Sequence, residues 1–359
     1  MKKYRYNTAA LLVTILLTTS TTLFAAEVTK EYNKEFTTKP TTSLDINSKY
    51  GNITIESWDK NQIVIEVKIK INMPNQERAE RALSYIEVVF SESDDVIKAF
   101  TKFDSKFNSI WNGRGNNRSI DYNIKMPVKT NLTLVNNYGH TTIVNELSGL
   151  VNLNVKYGNL TANKLTRGNE KPWNNISLGY GNGKIEETGW LTLNTSYGNF
   201  DVLKCTAVLF ESKYSKINFG EVSSIVGESR YDEIQINNIR NLELDSRYSG
   251  IKIRTLTNSL KFDTNYGSLT IDNIPSGFES IIVETNYAPV KLGIEDNASY
   301  ELKGDTRYGS ITYDDNKFNI TRRIQENNSL EIIGIMGNDA SPKSKVKIET
   351  NYTWVQLIK

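Results

Sequence analysis

The chain has 359 residues, a net charge of +2, seven prolines and one cysteine. The near-balance of charge argues against a general nucleic-acid binder, which carries a marked basic excess. A single cysteine rules out any disulfide within the chain, so the fold rests on its core alone.

Residues 1–26 read as a secretory signal peptide. Lys2, Lys3 and Arg5 form its basic start, Ala9 to Leu17 its apolar run, and Ala25 and Ala26 a small-residue cleavage point. The apolar run is short and gives way to TTSTT, which makes it a poor membrane span. No later stretch is apolar enough to cross a membrane, so none is expected after signal removal.

Residues 27–58 hold a first coil in which Leu44, Ile46, Tyr50, Gly51, Ile53 and Ile55 set the pattern apolar-x-apolar-x-small-x-Tyr-Gly-x-apolar-x-apolar. Alternation on both sides of the tyrosine predicts strand, sharp bend, strand. Glycine is expected at the bend because it accepts φ > 0. Residues 59–130 interrupt the pattern. Ile63 to Ile71 alternate as a long strand, NQERAERALSYI reads as a short amphipathic helix, and two strands follow near 86–91 and 95–103. The stretch 104–119 is polar and rich in Gly and Asn, so a long loop is expected there. This segment is read as an α+β cap over the open edge of the first coils.

The pattern resumes over 131–316, in the stretch that governs the whole reading. Tyr197, Tyr214, Tyr231 and Tyr248 are each 17 residues apart and Tyr266 follows at 18, in units such as LTLNTSYGNFDV and LELDSRYSGIKI. Seventeen residues leave no room for a crossover helix, so the unit is all-β and stacks as a parallel β-helix, or β-solenoid. With Tyr50, Tyr138, Tyr157, Tyr180, Tyr287, Tyr308 and Tyr352, twelve tyrosines in register predict about twelve short coils. The final segment, 317–359, reads as a capping hairpin followed by the last coil, whose Tyr352 precedes Thr353 in place of glycine. Counted from the tyrosine, positions −6, −4, −2, +3, +5 and +8 face inward.

Several features are candidates for chemistry. The tyrosines form either an exposed aromatic stripe or, the reading preferred, a structural ladder of stacked rings. Position −3 is acidic in seven units (Glu211 to Glu349) and position −1 is basic in five, which predicts a charge-compensated face. Where the basic row fails, at Asn265 and Asn286, the acids Asp245, Asp263 and Glu284 are the best candidates for a weak cation site. Phe107, Ile110 and Trp111, apolar residues in the polar 104–119 stretch, are the candidates for a partner contact. Cys205 is expected buried and inert, and His140, the only histidine, an exposed bystander. No nucleophile elbow, phosphate loop or zinc spacing is present, so no catalytic residue and no cofactor is assigned.

The stretch IDYNIKMPVKTNLTLVNNYGHTTI, followed by YGNLTA, YGNFDV and YGSLTI, resembles the bacterial "putative adhesin" families of exported β-helical domains of unknown function. The resemblance implies a right-handed β-helix exported by Gram-negative bacteria, with no catalytic residues to carry over. The insertion at 59–130 and Thr353 depart from it. The expected function is therefore a non-enzymatic exported surface that binds a protein or glycan at the cell envelope: in the periplasm, on the outer membrane or secreted. A polysaccharide-active, lyase-like β-helix and an envelope sensor or assembly scaffold are the alternatives.

Overall fold

The computed structural model describes residues 26–112 and 115–357. Residues 1–25 of the expected signal peptide lie outside the described residues, as do Gly113 and Arg114. The described chain is all-β, its 24 strands joined in one hydrogen-bonded sheet with two short α-helices.

The 17-residue period is a hydrogen-bonding register. Before the tyrosine, Leu191 pairs with Val208, Val208 with Ile225 and Ile225 with Leu242, all in parallel. After it, Phe200 pairs with Ile217 and Ile217 with Ile234, also in parallel. Each unit thus hydrogen-bonds to the next on both sides of its corner. The strand period of two sends alternate side chains inward. In the Tyr248 unit Leu242, Leu244, Ser246, Ile251, Ile253 and Leu256 are all buried.

At the corner the structure corrects one expectation. The positive φ belongs to the tyrosine and not to the glycine after it: all twelve tyrosines lie between φ 51° and 67°. Only Gly267 among the corner glycines has a positive φ. Glycine is needed there for close approach, since a Cβ on Gly158 would stand 1.9 Å from the carbonyl oxygen of Gly139. The small inward residue at −2 ties the same corner: Thr285 Oγ1 donates to the carbonyl of Ala288 at 2.6 Å.

The first unit is covered on both arms. Strand Val96–Phe103 lies parallel on Ser43–Lys49, and Asn117–Pro127 lies parallel on Ile53–Trp58. Two antiparallel pairings extend these arms outward, to Ile86–Ser93 on one side and to Gln62–Met73 on the other. Residues 27–37, assigned to the first coil from sequence, sit instead in strand Ala26–Thr37, which pairs antiparallel with Gln62–Met73. Helix Gln76–Ser84 is capped by the Asn75 side chain, which accepts from the Arg78 N–H, and it buries Ala79 and Ala82.

At the other end the order in space departs from the order in sequence. Strand Ser344–Asn351 lies between Ser280–Asn286 and Tyr300–Arg307, parallel to both, so Ile281, Val346 and Leu302 are in register. The Tyr352 unit is therefore the penultimate layer and the Tyr308 unit the outermost. The hairpin of Phe318–Glu326 and Ser329–Met336 takes the outer edge of Tyr300–Arg307 by antiparallel pairing. With that edge occupied, the returning strand has only the inner edge to join.

Gly158→Ala should cost about 2–4 kcal/mol, because backbone must move to admit the methyl group. Gly168→Ala, where a Cβ meets nothing within 4 Å, should stay within about 0.5 kcal/mol. Urea unfolding followed by circular dichroism checks both.

Candidate functional site

The twelve tyrosines form one continuous ladder. From Tyr50 it runs through Tyr138, Tyr157, Tyr180, Tyr197, Tyr214, Tyr231, Tyr248, Tyr266, Tyr287 and Tyr352 to Tyr308. Its eleven steps are 4.8–5.2 Å between ring centroids, with planes within 14° of parallel. The stacking matches the structural ladder expected from sequence. The rings are also on the surface: every one but Tyr50 is 44–59% exposed. Ring faces are covered by neighbouring rings, so what the ladder offers outward is ring edges and phenol hydroxyls. Within the ladder the most exposed ring is Tyr308, at its far end.

The Tyr50 end is closed by Arg118, whose guanidinium carbon lies 3.6 Å from the Tyr50 ring centroid and 4.4 Å from that of Trp111. Trp111 stacks in turn on Phe107 at 5.1 Å. Arg118 takes the place of a thirteenth ring and meets the negative face of the π-system. Partial burial lowers its pKa.

The three partner-contact candidates are engaged in this closure. Phe107 is buried, and Ile110 and Trp111 are half-buried against the core. Arg78 Nη2 donates to the carbonyls of Ile110 and Asn112 at 2.8 and 2.9 Å. The segment expected as a free polar loop contains the short helix Phe107–Ile110 and is folded back on the cap. Its apolar residues sit where their area can be buried, which a free loop could not provide.

Beside the tyrosines runs a polar ladder at position +2. Asn52 Oδ1 accepts from the His140 N–H, His140 Nδ1 from the Asn159 N–H, Asn159 Oδ1 from the Asn182 N–H, and Asn182 Oδ1 from the Asn199 N–H. His140 is exposed, but it is a rung of this ladder and no bystander.

Of the four units that carry both an acid at −3 and a base at −1, two form the ion pair. Arg247 makes a forked contact with Asp245 at 3.1 and 3.3 Å, and Arg230 meets Glu228 at 3.1 Å. Asp263 and Glu284 are adjacent in register. Lysines two residues before the acidic row, at −5, bind other acids, Lys261 with Glu243 at 2.6 Å and Lys347 with Glu349 at 2.7 Å. Among the described residues no group of three or more His, Cys, Asp or Glu converges on a metal position. Asp245, Asp263 and Glu284 form a row, not a cage, and Asp245 is already taken by Arg247.

Asp232 occupies a corner-glycine position and is 6% exposed. Its carboxylate accepts from the Ser215 N–H (2.8 Å), the Ser229 hydroxyl (2.9 Å) and the Arg230 N–H (3.0 Å). Burial nonetheless dominates and raises its pKa. Burial likewise pushes the Cys205 thiol up to about 12, so it is un-ionised at neutral pH.

Neither a protein-family model nor a curated protein sequence matches this chain. Solved structures similar to it include a "putative cell adhesion protein" from Clostridium sporogenes (12% identity, TM-score 0.18, covering 91% of this chain and 99% of that one). A "putative adhesin" from Parabacteroides merdae is 12% identical with TM-score 0.32, covering 92% and 97%. A "putative lipid binding protein" from Parabacteroides distasonis is 15% identical with TM-score 0.35, covering 72% and 95%. The adhesin names agree with the family that the sequence resembles. No helix among the described residues is long and apolar enough to cross a membrane.

Arg118→Ala should destabilise the protein by about 1–2 kcal/mol through loss of both ring contacts, read as a lower urea midpoint. Asp232 carries a pH signature. A carboxyl whose folded pKa is raised stabilises the fold below its unfolded pKa and loses that contribution as pH rises through the folded value. Asp232→Asn should therefore remove a decline in stability that the wild type shows as pH rises above about 4, the ordinary carboxyl value, measured by urea unfolding at each pH.

Proposed function

We propose that the chain is a right-handed β-solenoid of twelve coils that acts without catalysis, as an extended binding surface exported to the cell envelope. The solenoid reading rests on parallel registers that repeat unit after unit on both sides of each corner. The hand follows from the strong preference of parallel-strand connections for right-handed crossovers.

The observation that carries the function is the ladder itself. Eleven half-exposed tyrosines in one unbroken row are an apolar stripe of a size that marks interaction sites. Tyrosine is also the residue that interfaces favour, being large, stiff and able to hydrogen-bond at its tip. Acids and bases on the flanking rows neutralise one another along the length and do not gather in one cleft, which fits adhesion better than a lyase-type site. Export is supported by the basic-then-apolar leader at residues 1–26.

The test replaces Tyr214, Tyr231, Tyr248 and Tyr266 together by Asn, a residue that tolerates positive φ. The variant loses the stacking of five ring pairs but keeps corners that accept positive φ. It should fold with reduced stability, by circular dichroism, and lose roughly tenfold or more of the wild-type adherence of cells displaying the protein. Undiminished adherence of the folded variant overturns the ladder as the binding surface. Unsaturated products released from acidic polysaccharides by the wild type would overturn the non-enzymatic reading.

A further inference from the structure

We infer that the partner of the tyrosine ladder is the ladder of a second copy of this chain, so that the surface is homophilic. The inference rests on the adhesion reading above and specifies who is bound.

Three observations carry it. The first is area. Eleven rings at 44–59% exposure leave roughly 1,100 Å² open per copy, taking a tyrosine side chain as about 200 Å². That exceeds the 300–600 Å² or so of the largest patch on an ordinary monomer. It also meets the roughly 800 Å² per partner of a stable interface.

The second is pitch. The row repeats every 4.8–5.2 Å over eleven steps, the spacing of stacked β-strands. Only a surface of the same period can meet every rung, and a second copy carries that period by construction. Because the ring faces are already covered, the two rows meet edge to edge.

The third is chemistry. A phenol hydroxyl both donates and accepts, so a row of phenols is its own complement. Each hydroxyl can donate to one opposing oxygen and accept from the next. A two-fold axis across the ladder sets the rows antiparallel with the same patch used on both copies. The strand position beside the ring is neutral in six of the twelve layers, at Asn137, Gly179, Ser196, Asn265, Asn286 and Asn351, and basic in the other six, among them the central Lys213, Arg230 and Arg247. Arg230 and Arg247 are each paired with an acid of their own strand, Glu228 and Asp245, which lessens the like-charge repulsion where two antiparallel ladders cross.

Sedimentation of the purified protein, with and without the four Tyr→Asn substitutions, tests this. The wild type should dimerise at micromolar concentration, and the folded variant should associate roughly a hundredfold more weakly. Photo-oxidative coupling of the wild type, which joins touching phenol rings, gives a readout that needs no variant. It should yield covalent dimers linked through peptides carrying the ladder tyrosines. A wild type that stays monomeric at 100-fold higher concentration, or dimers linked only through other tyrosines, overturns the inference. If such a monomer still loses adherence with the four substitutions, the adhesion reading stands with a different partner. If the ladder dimerises and displaying cells do not adhere, homophilic pairing stands and the adhesion reading falls.

Discussion

Ring-on-ring stacking at the corners is the interaction on which everything else depends. Each turn of the repeat places a non-glycine residue in the left-handed region, at φ 51–67°. That conformation costs about 1–2 kcal/mol for an L-residue with a Cβ. A stacked aromatic pair returns about 0.5–1.5 kcal/mol beyond the area it buries, and the ladder supplies about one such pair for each corner. The strain is local while its compensation comes only from neighbours, so an isolated unit has no reason to hold the corner. Stability is thereby tied to stacking between neighbouring units.

The same stacking decides what the surface can recognise. With faces covered, the ladder presents edges and hydroxyls in a row about 54 Å long, eleven steps of about 4.9 Å. The two ends differ. Arg118 and Trp111 close the first ring, while Tyr308, at 59% exposure, is the most open. At the cap end both arms of the first coil are covered by parallel strands, and at the other end the C-terminal hairpin covers Tyr300–Arg307 by antiparallel pairing.

Much of this was legible in the sequence because the repeat leaves a period-two signal that burial enforces. The inward positions follow from the tyrosine alone, and Leu242 through Leu256 fall where counting puts them. The helix at Gln76–Ser84 was legible from its apolar spacing. The left-handed tyrosine was not, because a Tyr-Gly pair assigns the unusual φ to glycine by default. Only the distance between adjacent corner backbones separates the two explanations. The swapped order of the Tyr352 and Tyr308 units was also hidden. Both carry the same pattern, so spacing fixes membership in the stack and not the place within it. Arg118 lay in a stretch whose polarity read as loop. Its role comes from a cap fold that brings Trp111, Arg118 and Tyr50 together across 61 to 68 residues of sequence, and the same fold draws Phe107 into the core.

The most direct measurement of the central claim is a double-mutant cycle on Tyr231 and Tyr248, each replaced by Gly so that corner strain is relieved along with the ring. Their centroids are 4.9 Å apart and their planes within 5°. The account predicts a coupling of about 0.5–1.5 kcal/mol in urea unfolding, with the doubly substituted protein less destabilised than the two single effects add to. Strict additivity, with no coupling between the two rings, would contradict it.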